Sequence, residues 1–178
     1  MKKIIFCVFC LALINLTMVC ESVMAESSGY GVSLGYGQSK DDIDIYRIGV
    51  KKDFVSQWFT SATGYVSGYF ELSYNRWKGS EDEINGAALS PVFVYYFDRG
   101  NQTVRPYIEG GIGLAYIDET KIQGRNMSTN FQFEDRIGVG VAIKSFDLSF
   151  RYMHYSNASI KAPNDGIDIW IGSLSWYF

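Results

Sequence analysis

From Tyr30 to the C-terminus the chain keeps returning to a period of two. Tyr30, Val32, Leu34 and Tyr36 alternate with Gly31, Ser33 and Gly35. Tyr46, Ile48 and Val50 alternate with Arg47, Gly49 and Lys51, and Phe70, Leu72 and Tyr74 with Glu71, Ser73 and Asn75. A fourth stretch runs from about Ala87 to Phe97, with Pro91 awkwardly placed and its faces undecided. Ile108, Ile112 and Leu114 are then set against Tyr107, Glu109, Gly111 and Gly113. Phe131, Phe133, Ile137 and Val139 are set against Gln132, Glu134, Arg136 and Gly138. Leu148, Phe150 and Tyr152 face away from Ser149, Arg151 and Met153, and Trp170, Leu174, Trp176 and Phe178 away from Ser173, Ser175 and Tyr177. Side chains alternate faces on a strand, so each stretch predicts a strand with one bulky and one small or polar face. No apolar stripe at helical spacing competes with this pattern.

Eight such segments of about ten residues each match strands that cross a bilayer at a tilt. The fold expected is all-β: an eight-stranded antiparallel transmembrane β-barrel of the bacterial outer membrane, apolar side chains outward. A soluble sandwich or lipocalin-like barrel also alternates, but it would have to expose the glycine-rich, charged face and bury the bulky one. The aromatic strand ends and the terminal Trp176, Tyr177 and Phe178 favour the membrane. The predicted inward set holds Glu71, Glu109 and Glu134 beside Arg47, Arg136 and Arg151, three acids facing three bases. Side chains fill a barrel this narrow, which disfavours a transport channel.

The N-terminus agrees with export. Lys2 and Lys3 precede an apolar run from Ile4 to Val19, and Val23 and Ala25 fit the small-residue rule for cleavage after Ala25. Residues 1–25 are expected to be a removed signal peptide, and 26–178 one barrel with a C-terminal catalytic hairpin. A lipoprotein would use Cys20, but Val19 before it is bulky. Cys7, Cys10 and Cys20 all lie in the segment expected to be removed, which excludes disulfides and cysteine nucleophiles from the mature chain. One histidine, His154, is a poor basis for zinc, so no metal and no cofactor is expected. A formal net charge of −3 gives no sign of nucleic-acid binding.

An even strand number puts both chain ends on the periplasmic side, so odd strands run outward. The outer connections then fall at Ser39–Asp42, Lys78–Asn85, Asp118–Ser128 and Asn157–Gly166. The turn at Lys144–Phe146 is short, as periplasmic turns are, while Asp53–Gly64 is long for one. The seventh strand ends at the outer leaflet with His154-Tyr155-Ser156. His154 and Ser156 continue the lipid face of Leu148, Phe150 and Tyr152. Their backbones lie about 6.5–7 Å apart, a gap that an imidazole and a hydroxyl can close to activate a serine. Asp168 shares the lipid-face parity on the eighth strand, and a hairpin centred near Lys161 sets it opposite His154. Asp135, on the sixth strand, has the same parity and falls opposite His154 if that turn is centred near Ser145. Spacing does not choose between the two acids. Asn164 and the loop backbone are candidate oxyanion donors.

The run from His154 to Ile167, HYSNASIKAPNDGI, and the upstream Phe131–Gly138, FQFEDRIG, resemble the lipid A 3-O-deacylases of the PagL type. The resemblance covers roughly residues 129 to 170. It implies an outer-membrane barrel that removes the 3-position acyl chain of lipid A. It assigns Ser156 as nucleophile, His154 as base, the residue at 168 as orienting acid, and Asn164 with the backbone N–H of Ser159 as oxyanion hole. Two positions depart from the family: its acid is usually Glu where this chain has Asp168, and it usually has Gly where this chain has Ser159. The partners implied are lipopolysaccharide and the outer membrane; a homodimer is left open. Lys121, Arg125 and Lys161 in the outer loops are candidates to meet phosphates. The alternatives are a non-catalytic adhesin or structural barrel, and another lipid enzyme such as a phospholipase or acyltransferase.

Overall fold

The computed structural model describes residues 29–97 and 103–178; the leader expected at 1–25 lies outside them. Among the described residues there are eleven strands: β1 (Tyr30–Ser39), β2 (Asp44–Asp53), β3 (Trp58–Ser61), β4 (Gly64–Lys78), β5 (Glu83–Phe97), β6 (Val104–Ile117), β7 (Lys121–Ile122), β8 (Arg125–Asn126), β9 (Phe131–Ile143), β10 (Phe146–Ser156) and β11 (Ile167–Tyr177). Antiparallel pairing runs β2-β1-β11-β10-β9-β6-β5-β4, and β2 pairs with β4 to close the ring. The result is an eight-stranded barrel. The short β3 hangs on β4, and β7 and β8 make a separate two-stranded ribbon.

The wall follows the alternation. Leu34, Ile48, Leu72, Ile112, Ile137 and Phe150 are more than half exposed on the outside. Such a face suits acyl chains rather than water. The fourth predicted strand now has defined faces: Ala88, Ser90, Val92 and Val94 point inward and Leu89 and Phe93 outward. Proline lacks an N–H, and the β5–β6 ladder skips Ser90 and Pro91.

The lumen is closed in three layers. At the rim of the longer loops sits an apolar plug that includes Ile43, Ile45, Trp77, Met127, Met153 and Ile171. Below it lies the ionic layer. Arg47 donates to Glu134 Oε2 at 2.8 Å and to Glu71 Oε2 at 2.9 Å; Arg136 donates to Glu71 at 2.6 Å and also to Glu134, and Arg151 pairs with Glu109. Ser90 and Tyr155 donate to the same Glu134. Buried charges persist only when paired and hydrogen-bonded, and the three acids and three bases expected inside meet that condition. Toward the other rim Tyr69, Val92, Val94 and Tyr107 pack together.

The long connection after β2 folds back along the outer wall. Phe54 donates its N–H to Gly68 O at 2.8 Å. Its ring packs edge-on against Phe70 at 5.0 Å and Phe93 at 5.7 Å. A β-carbon at Gly68 would stand 2.0 Å from the Val92 carbonyl oxygen and 2.7 Å from the Phe54 ring, so the glycine admits both the neighbouring strand and this return.

Candidate active site

β10 carries His154 and Ser156 on its outer face at the loop rim, as parity requires. In the antiparallel registers, His154 pairs directly with Asp168 of β11 on one side and with Asp135 of β9 on the other. Both acids expected opposite the histidine are therefore opposite it. The side chains separate them. His154 Nδ1 lies 2.7 Å from Asp168 Oδ1. Asp135 has no hydrogen-bond or ionic partner among the described residues and instead lines, with His154, Tyr152 and Ile112, a groove of about 710 Å³ on the outer wall. An ionised carboxylate only accepts, so the Nδ1 facing Asp168 carries the proton and Nε2 is left with its lone pair free.

Two further groups touch Asp168. The Tyr152 hydroxyl donates to Oδ1 at 2.7 Å, and Lys40 Nζ lies 3.7 Å from Oδ2. The histidine and aspartate side chains are 36% and 32% exposed, so the site is open at the membrane surface yet supported from behind. The Ser156 hydroxyl has no hydrogen-bond partner among the described residues. The expected Ser156–His154 bond is thus not formed in this structure. Serine turns its hydroxyl by one rotation about Cα–Cβ, and such bonds often tighten only when substrate is present.

The loop 157–166 is tied down from three directions. The buried Asn157 donates to the carbonyls of Met127 and Lys161, both at 2.8 Å. Asn164 Oδ1 accepts the Asn157 N–H at 3.0 Å, which leaves the amide –NH₂ of Asn164 for another acceptor. Ser159 adopts φ 62°, in the left-handed region that favours glycine, and its side chain is exposed. The loop thus accommodates a side chain where the resemblance leads one to expect none. Arg125 donates to the carbonyls of Asp165 at 2.9 Å and Gly166 at 2.8 Å, and through Nε to Asp41 at 2.6 Å. That last bond raises the arginine's pKa further above its ordinary value. Arg125 therefore serves to clasp three loops together rather than standing free for a phosphate. Gly166 packs against the imidazole itself: a β-carbon there would lie 2.9 Å from His154 Cε1.

A closed outer-membrane barrel with a histidine–carboxylate pair beside a serine, all on its lipid-facing wall, defines the class: an integral outer-membrane hydrolase. Comparison with known proteins narrows it. The profile of the lipid A 3-O-deacylase (PagL) family matches residues 44–177. The chain is 35% identical over 148 residues to the lipid A deacylase PagL of Pseudomonas aeruginosa, covering 82% of this chain and 84% of that one. It is 31% identical over 166 residues to the lipid A deacylase PagL of Bordetella bronchiseptica, covering 88% of each. The crystal structure of the outer membrane enzyme PagL superposes with a TM-score of 0.79 at 32% identity, covering 83% of this chain and 99% of that one. The chain belongs to the lipid A 3-O-deacylase (PagL) family. Its place is the outer membrane, and an adhesin or purely structural role is set aside. These likenesses lend no support to the homodimer left open by the sequence.

Proposed function

We propose that this barrel hydrolyses the 3-linked acyl ester of lipid A in the outer leaflet through Ser156, His154 and Asp168. The observation that carries the mechanism is the 2.7 Å contact between His154 Nδ1 and Asp168 Oδ1 on the lipid-facing wall. A polar constellation there faces the acyl chains and headgroups of its own membrane, so the ester reaches it sideways without leaving the bilayer.

His154 Nε2 takes the Ser156 hydroxyl proton as Oγ attacks the ester carbonyl. Asp168 holds the imidazole in the tautomer that leaves Nε2 free and stabilises the imidazolium once formed. The amide of Asn164 and the backbone N–H of Ser159 receive the oxyanion. His154 returns its proton to the sugar oxygen as the C–O bond breaks, leaving an acyl-Ser156. Water, deprotonated by His154, then releases the fatty acid and restores the serine. No metal or cofactor takes part in these steps.

The test compares folded wild type with Ser156→Ala and His154→Ala, reading lipid A by mass spectrometry. Loss of one acyl chain from the 3-position with wild type, and none with either variant, is the result expected. Normal deacylation by a folded Ser156→Ala would falsify the nucleophile.

A further inference from the structure

We infer that Tyr152 is a positioning residue for the acid: its hydroxyl fixes the Asp168 carboxylate on the histidine. This inference rests on the catalytic assignment proposed above.

Tyr152 lies two residues before His154 on the same face of β10, and it pairs across the ladder with Trp170 rather than with Asp168. Its contact to Asp168 is therefore a diagonal one. Diagonal neighbours on a sheet face are about 7–8 Å apart at the backbone, within reach of a long aromatic side chain. The ring leans on Trp170 at 5.0 Å between centroids, tilted by 57°. With the ring held there, the hydroxyl lies 2.7 Å from Asp168 Oδ1.

That oxygen is the one facing His154 Nδ1, also at 2.7 Å. A single carboxylate oxygen thus sits between an imidazole from the same strand row and a phenol from the row below. An aspartate has a short side chain, and it must reach the imidazole from the neighbouring strand. A donor on the membrane side prevents the carboxylate from turning away and partly replaces the water that an anion on a lipid-facing wall would otherwise need. Lys40 approaches the other oxygen at 3.7 Å, but it is 65% exposed and comes from a loop, so it holds the acid less firmly. Tyrosines are common at membrane interfaces, where the hydroxyl reaches headgroup level. Here the hydroxyl is spent on the acid instead.

The experiment uses the full barrel folded in lipid nanodiscs containing lipid A. Tyr152→Phe keeps the ring and its packing on Trp170 and removes only the donor. We expect kcat to fall roughly ten-fold, the rate equivalent of one hydrogen bond to a charged group, with KM little changed. In an Asp168→Asn background the same substitution should make no further difference, because its route of action is gone. The chain has a single histidine, so ¹⁵N labelling gives one imidazole to follow. Its signals should move away from the pure Nδ1–H tautomer in Tyr152→Phe. Equal losses from Tyr152→Phe in both backgrounds would mark a merely structural role and overturn the inference. A crippled Asp168→Asn beside a Tyr152→Phe of normal rate and tautomer would overturn it alone. A normal rate and tautomer in Asp168→Asn would overturn the catalytic assignment and this inference with it.

Discussion

The guanidinium of Arg125 holds the carbonyl of Gly166 at 2.8 Å, and Gly166 in turn rests on the imidazole of His154. A residue on the β7–β8 ribbon thereby ties the 157–166 loop against the imidazole. Arg125→Ala should lower activity roughly ten-fold, the rate equivalent of a few tenths of an ångström lost in alignment. The barrel should still show the heat-dependent gel shift of a folded outer-membrane protein. Wild-type kinetics in a folded Arg125→Ala would show that the clasp is not needed for the loop's position.

Gly166→Ala tests the other half of that relay. The backbone there has φ 57°, which costs an L-residue about 1–2 kcal/mol. The new methyl would also stand 2.9 Å from His154 Cε1. Because the residue is in a loop, folding should survive while the imidazole is displaced. The expected outcome is a loss of turnover on the order of a hundred-fold, measured as fatty acid released per folded enzyme. Unchanged turnover would mean that the loop moves aside without disturbing the base.

Two acids flank His154 at the same register, and only one is bonded to it. Asp168→Asn should reduce the rate on the order of 10³–10⁴-fold, since an amide neither stabilises an imidazolium nor enforces the productive tautomer. Asp135→Asn should have the smaller effect. Asp168→Glu should retain or raise activity by adding reach. Should Asp135→Asn prove the crippled variant, the acid of the triad would come from β9.

The ionic layer in the lumen makes a separate prediction about stability. Glu134 accepts from Arg47, Arg136, Ser90 and Tyr155. Glu134→Ala leaves two buried guanidiniums short of a counter-charge, which should cost about 3–5 kcal/mol. The readout is the denaturant midpoint of the gel shift, which should fall clearly below wild type. No change in that midpoint would mean that water enters and solvates the arginines.

All eight barrel strands, and the faces of all but the fourth, were legible because a bilayer outside and a polar lumen inside enforce period two. The alternation is weakest where that contrast fails. Ile167, Ile169 and Ile171 point inward, so the inner face of β11 is apolar rather than polar at its start, and the plug beneath the loops left no periodic trace. His154, Ser156 and both aspartates were legible from parity. The choice of Asp168 was not, because Asp135 and Asp168 have identical strand geometry and differ only in where the side chains turn. Arg125 with Asp41 and with Gly166 could not be read at all. These contacts join loops 84 and 41 positions apart, and no local pattern encodes them. Tyr152 was legible as a lipid-face residue and not as a donor, because nothing in the alternation tells a phenol that faces headgroups from one that faces a neighbouring acid.

The three stacked layers of the lumen have a consequence for the cell that makes this protein. The site proposed on the outside of the barrel has no need of an opening, and here isoleucines and a tryptophan stop one end while paired charges lock the middle. Many copies can therefore be placed in the outer membrane without making it leak. Small dyes and antibiotics should not pass through the barrel itself, and whatever its abundance does to permeability should come through the lipid A it alters.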